Sequence, residues 1–185
     1  LEHDNMNNIY DNYWAPMERL FGGNDRNTIL MDNFFKDYLT LQLGRIPKEN
    51  QLYEEFKAWR NSSINDNQIT DLCYDIYRKA KYYTDIKFAR SNNNQLKKVY
   101  TEIKELKMEV IYPFLLKIHA DCFKGDPLIN TAQLIEIMKL CISYAVRRTV
   151  CGLSSNGLGN LFAAFRRRID NENYTASINQ AFSNL

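Results

Sequence analysis

Glycine and proline are scarce in this chain, at 7 and 4 positions of 185, too few for the turns of an all-β or loop-rich protein. Histidine is scarcer. Only His3 and His119 occur, and neither has a second histidine or a carboxylate at ligand spacing, which excludes the usual metal-hydrolase patterns. His119, between Ile118 and Ala120, reads as a structural residue. The four cysteines, at 73, 122, 141 and 151, show no two-residue spacing of the zinc-knuckle or thioredoxin kind. Cys73 and Cys141 fall on apolar helical faces, as reduced thiols do, so a reducing cytoplasm is the expected compartment. Gly22-Gly23 lacks the Lys-Ser of a phosphate loop, and Gly157 and Gly159 flank Leu158 rather than a nucleophile. Apolar stretches such as 140–146 fall far short of the ~20 residues of a membrane span. The segment 1–12 is polar and acidic, unlike a secretory signal. The expectation is a non-catalytic domain with no metal or cofactor of its own and no membrane association.

Apolar residues are plentiful, at 45%, with 10 Phe and 12 Tyr, and their spacing is helical throughout. Ile9, Tyr13, Met17 and Leu20 begin a first helix that Gly22-Gly23 ends. A second runs from Asn27, through Leu30, Phe34, Tyr38 and Leu41, to a cap at Gly44. Pro47 suits the first turn of a third, carrying Leu52, Phe56 and Trp59 and ending near Asn61. Ile69, Cys73, Ile76, Ala80 and Tyr83 mark a long fourth helix to about Arg90, followed by a loop at 91–94. Leu96, Val99, Ile103, Leu106 and Val110 keep a three-four alternation against a lysine- and glutamate-rich face, over too few heptads for a coiled coil. Pro113 predicts a restart before Phe114, with Tyr112 turned away from helical geometry.

Gly125-Asp126-Pro127 is a turn signal, and Asn130 with Gln133 has the form of a capping box. The helix it opens, roughly 131–150, has almost no polar face and is expected to run through the centre of the fold. After a loop at 154–156, Leu158, Leu161, Phe162 and Phe165 start another helix, and Ile178, Ala181 and Phe182 mark a last one. The fold class expected is all-α: one irregular bundle of about seven to nine helices over residues 1–185, around a central apolar helix.

Carboxylates offer two pairs, Glu54-Glu55 and Asp71 with Asp75, the latter one turn apart on one helical face. Both are expected to be solvated opposite the apolar seam. Charge is more telling in its distribution than in its total of +2. Residues 1–92 carry 12 basic and 14 acidic groups, and 93–185 carry 12 and 8. No acid lies between Ile137 and Ile169, against Lys139, Arg147, Arg148, Arg166, Arg167 and Arg168. Arginine suits bidentate phosphate contacts, so these five arginines are candidate contacts to DNA or to a neighbouring domain. A competing role for Arg148 is an internal ion pair with Asp71, Asp75 or Glu109.

Several stretches together resemble the helical region of GmrSD-type, modification-dependent (type IV) restriction endonucleases of bacterial phage defence. They are Tyr13-Trp14 with Glu18, Leu20 and Phe21; Phe34 and Tyr38-Leu39; and Tyr53-Glu54-Glu55-Phe56-Lys57. Further along come Tyr112-Pro113-Phe114-Leu115-Leu116, 143–148 with Cys151-Gly152, and Asn156-Gly157-Leu158 leading to Phe162. The family joins an N-terminal ParB-like nucleotide-binding domain, marked by Asp-Gly-Gln-Gln-Arg, to a C-terminal HNH nuclease domain. Neither motif occurs in this sequence. The resemblance therefore implies a fragment of a larger protein: a helical connecting domain between nucleotide-binding and nuclease partners, touching DNA and compatible with homo-oligomers. It transfers no catalytic, cofactor-binding or metal residue. The alternative is a stand-alone helical protein–protein interaction module.

Overall fold

The three-four apolar spacing is realised as helix after helix in the computed structural model, which describes residues 8–22, 28–153 and 157–184. Among the described residues there are nine α-helices and no strand. They are α1 (Ala15–Leu20), α2 (Thr28–Leu43), α3 (Leu52–Ser63), α4 (Ile69–Phe88), α5 (Asn94–Glu105), α6 (Tyr112–Cys122), α7 (Thr131–Val150), α8 (Leu158–Phe165) and α9 (Tyr174–Ser183). His3, Gly23, Asn27 and the loop expected at 154–156 lie outside the described residues.

Local chemistry sets the ends. A π turn, Tyr10–Trp14, leads into α1, with the Ala15 N–H reaching back to the Tyr10 carbonyl. That widened turn directly precedes Pro16, whose ring would crowd a regular turn and which has no N–H to give. Gly44 closes α2 in the left-handed region, at φ +67°, and its N–H donates to Thr40 O, as a glycine C′ residue does. Asn130 and Gln133 form the reciprocal capping box at the start of α7. Asn65 and Gln68 make a second one ahead of α4.

Three boundaries differ from expectation. Pro47 lies outside helix α3, which starts at Leu52 after a 3-10 turn at Glu49–Gln51 and continues to Ser63. Helix α5 stops at Glu105, so Val110 sits in a separate 3-10 turn, Glu109–Ile111. The stop is a Schellman motif: Lys107 takes φ 52°, and the Met108 N–H donates to Ile103 O. Tyr112 is helical, at φ −57° and ψ −42°, because Pro113 falls in the first turn of α6, where no intrahelical donor is needed.

The centre of the fold is a correction. Helix 131–150 forms as expected, but only one side of it is enclosed: Leu134, Ile135, Ile137, Met138, Cys141 and Ala145 are buried, while Val146 and Val150 are 40% and 80% exposed. The enclosed helix is α6, in which Tyr112–Leu116, Ile118, His119, Asp121 and Cys122 are all buried. It packs against α2, α4, α7 and α8. Two aromatic groups fill the space around it. Phe21, Phe34, Tyr38, Tyr83 and Tyr112 join α1, α2, α4 and α6, and Phe114, Phe162, Phe165 and Phe182 join α6, α8 and α9. Offset and edge-to-face rings of this kind add to the apolar burial that drives the packing.

Candidate functional site

The polar groups that enter the interior are mostly matched there. Asp75, expected in solvent, keeps a solvent-facing side, 37% exposed, while it accepts the Tyr38 hydroxyl at 3.0 Å and pairs with the buried Lys79. Burial pushes the Lys79 ammonium down and Asp75 pushes back; the same burial, reinforced by the Asp75 charge, holds the Tyr38 phenol protonated. Asp121, on α6, accepts from Tyr174 Oη at 2.6 Å and Lys117 Nζ at 2.5 Å. Glu55 accepts from the Lys48 N–H at 3.0 Å and pairs with Arg45 at 2.8 Å, and these contacts hold its carboxyl low. His119 is fully buried and hydrogen-bonded at both ring nitrogens. All four cysteines are free thiols; Cys122 and Cys141 are buried, Cys73 is half-buried and Cys151 exposed.

The five candidate arginines divide among three environments. Arg166 and Arg167, though exposed, reach across the surface to the end of α2. Arg166 donates to Leu41 O at 2.8 Å and Gln42 O at 3.1 Å, and Arg167 donates to Leu43 O at 3.3 Å. With Gly44 on Thr40 O, all four terminal carbonyls of α2 have donors, and two positive charges stand at the negative end of its dipole. Arg168 instead lies over the Phe165 ring, 5.6 Å from its centroid. Arg147 and Arg148 share a third place, the last turn of α7. Arg147 Nε donates to Ser143 O, Arg148 donates to Tyr144 Oη, and both line a depression with Leu153 and Phe182. Of the acids expected as Arg148 partners, Asp75 pairs with Lys79 and Glu109 with Lys87.

This third place is both basic and apolar. Val150 is 80% and Leu153 56% exposed beside the two arginines, which is unusual for branched aliphatic side chains at adjacent turns. The acid-free run in the sequence signalled its charge, but not that Arg166 and Arg167 would leave it for α2.

A second site had no sequence signal. A cleft of about 240 Å³ opens where α2, α4, the 109–111 turn, α6 and α8 meet. Asn33, Lys36, Asp37 and Thr40 line it from α2, Tyr83 from α4, Glu109 and Val110 from the turn, Pro113 from α6 and Gly159 from α8, with Ile46 at its edge. Gly159 is small for a reason: a Cβ there would come within 2.9 Å of Ile46 Cδ1. Burial pushes the Asp37 carboxyl up to about 8; Lys36 and Lys87 oppose the shift and Glu109 adds to it. Burial thus favours the protonated form of Asp37, which is walled by Tyr83, whose phenol burial likewise holds protonated.

No protein family, curated protein or solved structure matches this chain.

Proposed function

We propose that the chain is a non-catalytic helical connecting domain of a nucleotide-dependent restriction endonuclease acting on modified phage DNA, and that the end of α7 is its contact surface. The family in this reading comes from the sequence resemblance. One observation carries the contact surface: exposed Arg147 stands with Arg148, Val150 and Leu153 within a stretch without acids. The buried Asp121 and His119, and the half-exposed Asp75, are engaged in interhelical hydrogen bonds instead.

A basic surface that touches DNA backbone binds with a strong salt dependence, each neutralised phosphate contributing roughly 0.9 to the slope of log K against log salt. Fluorescence anisotropy with a labelled duplex tests this. The expected result is binding at low salt that weakens steeply with added salt, with a shallower slope for Arg147→Ala/Arg148→Ala. Absence of binding at low salt removes DNA as the partner. Robust metal-dependent cleavage by the chain itself overturns the non-catalytic assignment. An open reading frame without flanking nucleotide-binding and nuclease domains overturns the family.

A second reading, a protein–protein interaction module, is favoured by the exposure of Val150 and Leu153. A protein partner or a second copy on this surface would bury both. Sedimentation and pull-down with the flanking domains distinguish it: Val150→Ser with Leu153→Ser, which adds no charge, abolishes such an association while leaving a purely electrostatic DNA contact nearly intact.

A further inference from the structure

The depression at the end of α7 has a volume of about 210 Å³ and joins two kinds of lining, guanidinium groups and apolar side chains. Helix α7 supplies Tyr144, Arg147 and Arg148, the turn after it Cys151 and Leu153, and α9 Phe182. The Tyr144 and Phe182 rings meet there, with centroids 5.4 Å apart. Arg147, an exposed side chain, engages its Nε with Ser143 O at 3.3 Å, and among the described residues its two terminal nitrogens have no acceptor. Arg148 is held beside it by Tyr144 Oη. The charge on this side is of one sign: from Ile137 to the end of α7, and throughout α8 and α9, there is no acid. Glu136 stands two turns before Tyr144, about 12 Å along the α7 axis. Asp170, ahead of α9, accepts from the Glu172 N–H and the Asn173 amide in its own turn, and neither it nor the exposed Glu172 lines the depression.

We propose that the depression seats one aromatic or aliphatic side chain of an acidic protein segment, whose carboxylates beside that anchor reach Arg147 and Arg148. A cavity of about 150 Å³ holds a benzene ring, so the depression has room for one phenyl side chain. Carboxylates match the fork of a guanidinium group, and an apolar anchor sunk in a pocket is the form that interface hot spots take. Backbone phosphates would answer the arginines but bring nothing for Leu153 and Phe182. A copy of the chain related by a twofold axis would set the arginines against their own kind. The inference rests on the reading of the α7 end as a contact surface, and it names the partner's chemistry as acidic polypeptide.

NMR titration of the isotope-labelled full chain with a blocked Asp-Phe-Asp peptide tests it, with blocked Asp-Ser-Asp and Lys-Phe-Lys as controls. The expected result is saturable shifts centred on Tyr144, Cys151 and Leu153. Affinity should be at least tenfold weaker for either control, and for Asp-Phe-Asp on Arg147→Ala/Arg148→Ala. Leu153→Ser, which keeps both charges, should weaken Asp-Phe-Asp as much, with thermal unfolding confirming the fold of each variant. No saturation up to about 10 mM, ten times weaker than millimolar recognition, overturns the proposal, as do equal binding of Asp-Ser-Asp and shifts centred elsewhere. Titration of the labelled duplex in parallel separates this inference from the reading beneath it. Duplex binding that needs both arginines, without peptide binding, overturns the acidic partner and leaves the contact surface standing; absence of both removes the surface itself. Binding to phosphatidylserine vesicles that needs Leu153 and both arginines, without peptide binding, assigns the depression to a lipid surface and overturns the proposal.

Discussion

Tyr100 Oη lies 2.6 Å from His119 Nε2, and His119 Nδ1 lies 2.7 Å from Leu115 O. A carbonyl only accepts, so Nδ1 carries the proton and Nε2 receives the phenol hydrogen bond. One neutral tautomer is thereby fixed inside the most enclosed helix of the fold. Tyr100→Phe leaves Nε2 without its donor in the interior and is expected to cost about 1–2 kcal/mol by urea unfolding, from the unmet acceptor alone.

The same imidazole makes stability pH-dependent. Burial pushes its pKa down to about 4, against 6.5 for an unburied imidazole. Between those values the unfolded chain binds the proton and the folded chain does not, so stability falls as pH falls from 6.5 towards 4. The slope is at most about 1.4 kcal/mol per pH unit. Denaturant midpoints measured across this window should decline, and His119→Leu should flatten the His119 portion of the decline.

Asp37 acts in the opposite sense. Its folded pKa, about 8, lies above the ordinary 3.8, so the folded state holds a proton that the unfolded state has lost. Stability therefore falls as pH rises from about 4 to 8, again by at most about 1.4 kcal/mol per unit. Asp37→Asn keeps the shape and removes the titration, and thermal melts at pH 8–9 should show the variant to be the more stable chain.

Arg166→Ala and Arg167→Ala remove charge-assisted donors from the last carbonyls of α2, and each is expected to cost about 1–2 kcal/mol. Arg147→Ala, at an exposed side chain whose hydrogen bond is local, should change stability by less than about 0.5 kcal/mol. Equal effects from all three in chemical denaturation would contradict the division of the arginines into a clasp on α2 and an outer surface.

Lys107 holds φ 52° without being glycine. Lys107→Gly relieves the crowding of its Cβ against the backbone, partly offset by the greater freedom of glycine in the unfolded chain. The net expectation is a gain of about 0.5–1 kcal/mol, readable as a raised melting temperature.

The helices were legible because periodicity is a local property: Leu96, Val99 and Ile103 announce a buried face, and Asn130 with Gln133 announces a start. The choice of centre was not. Helix 131–150 is the longer, and 112–122 carries Lys117, His119 and Asp121, yet Asp121 and His119 enter the core on hydrogen bonds from Tyr174 and Tyr100, residues that no window around α6 contains. The Asp75 contact was hidden for the same reason, its partner Tyr38 lying on another helix. The Asp37 cleft was invisible because its walls come from five elements, and in the sequence Asp37 is an unremarked neighbour of Tyr38. Arg166 and Arg167 showed their charge but not their direction, which depends on a helix end more than 120 residues away.

That distance has a kinetic meaning. A ribosome releases α2 long before residues 166 and 167, so until they emerge the carbonyls of Leu41, Gln42 and Leu43 can be met only by water. The contact closes a loop spanning most of the polypeptide, and the entropy of closing it is repaid only once α8 is in place. The final turn of α2 is thus completed by residues synthesised more than 120 positions later, and a nascent or truncated chain ending before Arg166 should fray at Gly44.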